Sequence, residues 1–249
     1  MILEKIRLLF EVLTKIKNPF AFLSLWLGVG GGSIVSFGKT KAYLRNNKID
    51  YWIFIENILD DNYNLESLRF LNFDHIIDIG GNIGLFTVST KKYWPKSKRL
   101  VIEPSKKSLR ILKKNLKLNH IKAKILNRAV TESKTKKYID LFLNENPAMS
   151  SVVSSSGKSV RVKTVNFSSL VPEEGHTLVK IDIEGGEYVF LKSDLTEVFA
   201  RISVLLMETH DLDKHKNYRT VVRFLKNAGF KVYYKNRQIT AINPNKISL

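Results

Sequence analysis

The run Lys180-Ile181-Asp182-Ile183-Glu184-Gly185-Gly186-Glu187 places ionisable groups at every second position. On a strand, Lys180, Asp182 and Glu184 share one face while Val179, Ile181 and Ile183 share the other. Three charges on one face of a central strand are costly to bury, and are tolerable where the strand's carboxyl end opens on a ligand crevice. Ion pairing of Lys180 with a neighbouring acid is the structural alternative. Met207-Glu208-Thr209-His210-Asp211 follows another apolar run and so reaches the same rim. His210 is a candidate base because an imidazole titrates near neutral pH.

Two further features suit a nucleotide-like cofactor. Asp78-Ile79-Gly80-Gly81-Asn82-Ile83-Gly84 lies between an apolar run and a helical pattern, and glycines at such a turn let backbone approach a ligand. The spacing is not the Gly-x-Gly-x-x-Gly dinucleotide fingerprint, which disfavours an NAD-dependent oxidoreductase. Glu103 follows Asp78 by 25 residues at the end of the next apolar run, where a doubly wound fold hydrogen-bonds the ribose hydroxyls.

Short apolar runs alternating with helical patterns from about Asp74 onward argue for parallel βαβ units, hence an α/β fold. Strands are expected at His75–Ile79, Arg99–Ile102, Lys124–Leu126, Leu178–Ile183 and Ile202–Met207. Helices are expected at Leu85–Tyr93, Ser105–Asn119 (capped by Ser105), about Gly186 to Lys192, and Tyr218–Ala228. Tyr138–Leu143 and Ser159–Val165 form an added pair of strands around a serine-rich loop at Met149–Gly157, a candidate gate for a polar substrate. Lys231–Tyr234 and Gln238–Ile242 form an antiparallel terminal pair.

These residues resemble the FkbM family of S-adenosylmethionine-dependent methyltransferases. The matching pieces are Asp78–Gly84, Glu103-Pro104, Asn127-Arg128-Ala129-Val130, Lys180–Glu187 and Glu208-Thr209-His210. The resemblance implies a Rossmann-like, mostly parallel seven-stranded sheet with an antiparallel last strand, preceded here by an N-terminal helical and apolar extension over residues 1–74. It implies a cofactor site at Asp78, Gly80, Gly81, Asn82, Gly84 and Glu103, with Asn127 and Ala129 bordering the adenine. Catalysis is expected from Asp182, Glu184 and His210, and acceptor binding from Lys180, Glu187 and Glu208. In-line methyl transfer needs alignment and a base near the acceptor hydroxyl, so Asp182 or His210 is the expected base. Paired carboxylates holding Mg²⁺ are the alternative. The resemblance points to O-methylation of a hydroxyl on a sugar, glycan or lipid-linked sugar. An RNA methyltransferase and a non-catalytic binding module of the same fold are the other functions weighed. Retention of Asp182, Glu184 and Glu187 speaks against the latter.

The composition limits partners. The chain has no cysteine, which excludes a thiol nucleophile and any zinc site built on sulfur. Forty-one Lys and Arg against 23 Asp and Glu leave +18, of which +15 falls between Lys91 and Lys137. Such density attracts phosphates, acidic glycans or anionic headgroups. Its aromatics are sparse, so stacking on single-stranded RNA is poorly supported. Residues 1 to 17 read as an amphipathic helix ended by Pro19, and no residue from Pro19 to Phe37 is charged. Gly28, Gly30, Gly31 and Gly32 make that segment a poor membrane span. Packing on the chain's own core, or in-plane contact with a membrane through residues 1–37, is expected, in a cytoplasmic protein.

Overall fold

A computed structural model of the chain describes residues 2–142, 159–235 and 237–247. The candidate gate at Met149–Gly157 lies outside the described residues. The β-rich runs of the sequence become β3 (His75–Ile79), β4 (Lys98–Ile102), β5 (Lys124–Leu126), β9 (Thr177–Ile181), β10 (Val204–Glu208), β11 (Lys231–Lys235) and β12 (Gln238–Ile242). They form one seven-stranded sheet in the order β11-β12-β10-β9-β3-β4-β5. β12 runs antiparallel to both neighbours, while β10, β9, β3, β4 and β5 are parallel. This is the Rossmann-like methyltransferase arrangement with a reversed last strand. β3 sits beside β9 although they are far apart in sequence, so the chain changes direction across the sheet there and leaves a crevice at the strands' carboxyl ends. A smaller sheet packs alongside, in the order β6 (Ala129–Thr131), β8 (Ser159–Asn166), β7 (Tyr138–Phe142).

Between these strands run α4 (Leu85–Tyr93), α5 (Lys106–Leu118), α6 (Thr196–Ala200) and α7 (Tyr218–Asn227). Ser105 caps α5 by accepting the Ser108 N–H. Leu112 and Leu116 are buried as the periodicity predicts, whereas Leu109 is only half-buried and Asn115 takes a place in the stripe. The segment Gly186–Lys192, expected as a helix, forms instead a single 3-10 turn over Glu187–Phe190.

The first 74 residues add α1 (Ile2–Lys15), α2 (Pro19–Leu27), a hairpin of β1 (Ser33–Phe37) and β2 (Thr40–Leu44), and α3 (Lys48–Phe54). Pro19 opens a second helix, because the first turn needs no donor from its nitrogen. Val12, Ile16, Phe22 and Leu25 are buried with Val35, Leu44, Phe54, Ile83 and Leu85, so this extension shares a core with the start of α4. Its attachment is also polar. The buried Asn115 carboxamide accepts the Tyr43 N–H at 2.6 Å and donates to Ile83 O at 2.8 Å, and Asn119 Oδ1 accepts the Lys41 N–H at 2.9 Å. After α3 comes a π-helical turn over Ile55–Leu59. No helix among the described residues is long and apolar enough to cross a membrane.

Candidate active site

The loops after β3, β9 and β10 meet at one rim, since Ile79 pairs with Ile181 and Ile181 with Met207. Gly80 has φ +79°, and a Cβ there would collide with the carbonyl oxygen of Asp182, so only glycine fits. The Asp182 N–H donates to Ile79 O at 3.1 Å, which locks the loop after β9 to the loop after β3. Gly81 and Gly84 press instead against Val101 of β4 and Leu112 of α5, holding the loop after β3 close to both rather than facing the cavity.

A cavity opens between these loops, lined by Gly80, Asn82, Glu103, Pro104, Arg128, Ala129 and Asp182 through Glu184, with Ile79, Ile102, Val130 and Leu141 supplying apolar walls. Glu103 is almost wholly buried in its floor. One carboxylate oxygen accepts the Asn82 N–H at 2.8 Å and the other the Ser105 N–H at 2.6 Å. Burial pushes its pKa up to about 7 against the opposing pull of those two amides and of Lys180. Each oxygen retains lone-pair capacity for a ligand hydroxyl. Asn127 does not line the cavity; its carboxamide donates to Glu103 O at 2.9 Å and Pro104 O at 2.8 Å, and so fixes the turn that carries Glu103.

Lys180, expected at the acceptor, is enclosed. Its Nζ donates to Gly80 O at 2.8 Å and lies 3.3 Å from Asp182 Oδ2 and 3.4 Å from Asp78 Oδ1. Burial alone would lower its pKa, but the charges of Asp182 and Asp78 raise it to about 12. The structural alternative of an ion pair therefore replaces the expected acceptor contact. Asp78, also buried, accepts the Thr87 hydroxyl at 2.6 Å and acts on the cavity through Lys180 and Gly80. Glu187 is likewise fully buried, against the expectation that it meets the acceptor. Its Oε1 accepts the Ile183 and Gly185 N–H groups and sits 2.9 Å from His210 Nδ1.

His210 is thereby fixed on the rim, with Nε2 3.5 Å from Glu184 Oε2 and 3.9 Å from Glu208 Oε1. Burial would lower its pKa, but the Glu187 hydrogen bond and the charges of Glu187, Glu184 and Asp182 raise it to about 9. Burial and Asp182 push Glu184 up to about 7 in spite of His210, and push Glu208 up as well. The Glu208 carboxylate accepts the Gln238 Nε2–H at 3.1 Å. At neutral pH, then, His210 is a cation among carboxylates. Histidine NMR titration should find one imidazole still protonated at pH 8, and Glu187→Gln should return it towards 6.5. The ordinary value of 6.5 lies below the folded one of about 9, so the stabilising contribution is complete below 6.5 and is lost as pH rises through 9.

Two residues of this site have no signature in the spacing. The buried Tyr63 hydroxyl donates to Asp182 Oδ2 at 3.4 Å from 119 residues away in sequence. Glu56, whose side chain is exposed on the π-helical turn, is pushed up towards about 7 by the protein crowded around its carboxylate and by the charges of Glu208, Asp182 and Asp60. One atom each from Asp182, Glu184 and His210 lie within 4.8 Å of one another, close enough for a divalent cation. Beyond Gln238 opens a groove of about 940 Å³, lined among others by Asp60, Asn62, Asn64, Phe70, Tyr233 and Tyr234.

Among solved structures the chain is similar to an FkbM methyltransferase from Methylobacillus flagellatus KT (12% identity, TM-score 0.48, covering 90% of this chain and 59% of that one). It is also similar to a precorrin-6y C5,15-methyltransferase from Geobacter metallireducens GS-15 (14% identity, TM-score 0.43, 72% and 82% covered). A third is TYW2 of M. jannaschii in complex with AdoMet (14% identity, TM-score 0.41, 86% and 84% covered). At such values these likenesses carry no argument about activity. No curated protein matches the sequence. The sequence model of the Methyltransferase FkbM domain matches residues 78–232, well over half of the chain and inclusive of every loop that builds the rim. The chain therefore belongs to the FkbM methyltransferase family, which implies S-adenosylmethionine as its methyl donor.

Proposed function

We propose that the chain O-methylates a hydroxyl of a sugar, either in a glycan or on a lipid-linked carrier, with Asp182 as the base. The observation that carries this reading is the position of Asp182, which lines the cofactor cavity and also belongs to the acidic rim. The residues present fit the implied donor. Buried Asn82 Oδ1 has no hydrogen-bond partner among the described residues and suits the ammonium of a methionine moiety. Glu103 suits the ribose hydroxyls, and the apolar walls with Ala129 suit an adenine. When bound, the donor supplies an activated methyl on a sulfonium. The chain's own residues align the acceptor oxygen with that methyl, exclude water and receive the hydroxyl proton at Asp182. His210, held protonated, is unsuited to be that base; its charge instead balances Glu184 and Glu208 beside the acceptor.

The groove favours a sugar. Exposed Phe70 and Tyr233 offer faces for the apolar side of a sugar ring, and Asp60, Asn62 and Asn64 offer donors and acceptors for its hydroxyls. RNA is less well served. The cationic cleft at Lys91, Lys96, Lys98, Lys122 and Lys124 lies where β4 and β5 begin, at the opposite end of the sheet from the rim. A divalent cation on Asp182, Glu184 and His210 is a second reading, favoured by the approach of their ligand atoms.

Calorimetric titration with S-adenosylmethionine tests the donor. Binding is expected, with Glu103→Ala weakening it by at least about tenfold through loss of two hydroxyl contacts. Absence of binding by the intact chain would overturn the methyl-donor assignment. A screen of sugar and lipid-linked sugar acceptors, run with and without chelator, then tests the acceptor class and the metal.

A further inference from the structure

We infer that α1, α2 and the turn after them form a docking face for an anionic phospholipid surface. α2 buries Phe22 and Leu25 but turns Phe20 (81% exposed) and Leu27 (67%) outward, with Trp26 half out beside them. α1 buries Val12, and Ile16 just beyond its end is buried too, yet Phe10 (66%) and Leu13 stand in solvent. Large apolar side chains left out on two adjacent helices mark an interaction surface. Val29, exposed in a turn of glycines whose surroundings are open, extends it beyond the end of α2.

Charge decides which occupant fits. Up to residue 50 the chain has eight Lys and Arg and three acids, Glu4, Glu11 and Asp50, of which Asp50 is buried against Arg45. Of these cations Lys15, Lys17, Lys39 and Lys41 are exposed. The hairpin carrying Lys39 and Lys41 is bonded to Asn119, whose carbonyl also takes Lys91 Nζ at 2.6 Å, at the edge of the cleft of Lys96, Lys98, Lys122 and Lys124. The apolar helices therefore adjoin the most cationic surface of the molecule. A second copy seated on this face by two-fold symmetry would bring like charges together. An anionic bilayer accepts the aromatic and aliphatic side chains at its interface and neutralises the lysines. The helices are too short to cross it, so the contact is peripheral. This inference does not depend on the identity of the methyl acceptor.

Co-sedimentation of the full chain with vesicles of phosphatidylcholine, with and without phosphatidylglycerol, tests it. Phosphatidylglycerol should tighten binding at least about tenfold, with the gain falling as salt rises. Phe20→Glu with Leu27→Glu should leave the protein in the supernatant with S-adenosylmethionine binding and thermal midpoint unchanged, since both positions are exposed. Lys39→Glu with Lys41→Glu should weaken binding to the anionic vesicles alone. Three results would overturn the inference: no binding by the intact chain, equal binding by the Phe20/Leu27 variant, or a solution dimer that this variant dissociates.

Discussion

Asp182→Asn is expected to lower methyl transfer by about 10²- to 10⁴-fold, the usual contribution of a positioned general base. The substitution keeps the shape of the side chain and its contact with the Tyr63 hydroxyl. It removes the site's ability to take a proton from the acceptor. Donor affinity should change only a few-fold, because Gly80, Asn82 and Glu103 are untouched, and calorimetry separates the two effects. Turnover equal to that of the parent would remove Asp182 from the mechanism. Tyr63→Phe gives a graded control. With Asp182 intact but lacking one donor, activity should fall far less than in Asp182→Asn and its pH profile should shift.

Lys180→Met should destabilise the protein by about 3–5 kcal/mol, the range for breaking a buried ion pair from one side. Asp78 is fully buried and Asp182 half-buried, and both lose the cation that offsets them. Gly80 O loses its donor too. For a domain of this size the thermal midpoint should drop by roughly 10 °C. A lysine that served only to touch the acceptor would leave the midpoint unchanged and raise the acceptor KM alone, so thermal unfolding without any substrate distinguishes the two roles.

The sheet was legible because its strands are short apolar runs between glycines and polar turns. His75–Ile79, Lys124–Leu126 and Gln238–Ile242 have the bounds that their patterns predict. The first 74 residues were much less so. Pro19 starts a second helix although a proline reads as the end of the first, and the hairpin at Ser33–Leu44 begins directly after a run of glycines and lacks strong alternation. The candidate site divides along another line. Spacing identified Asp182, Glu184, Glu208 and His210 as neighbours on one rim. It could not tell that Lys180 and Glu187 face inward, since alternation assigns a side chain to a face but not to a depth. Glu187 belongs to a turn that doubles back under His210, and Lys180 reaches a carbonyl 100 residues earlier. Tyr63 and Glu56 escaped for the same reason, because their partners are set by the path of the chain over the rim.

The Asn115 and Asn119 carboxamides have a consequence for synthesis. They complete the outer edge of the hairpin strand β2 from 72 and 78 residues further along the chain. On a ribosome adding about 5–20 residues per second, β2 therefore emerges roughly 4 to 16 s before the groups that satisfy its backbone. During that interval α1 and α2 can pack on the hairpin and α3, but the core they share with Ile83 and Leu85 is open and the outer edge of β2 is unpaired. The N-terminal unit is therefore completed only once α5 has been made, and a nascent chain stalled before α5 should leave the edge of β2 open to solvent.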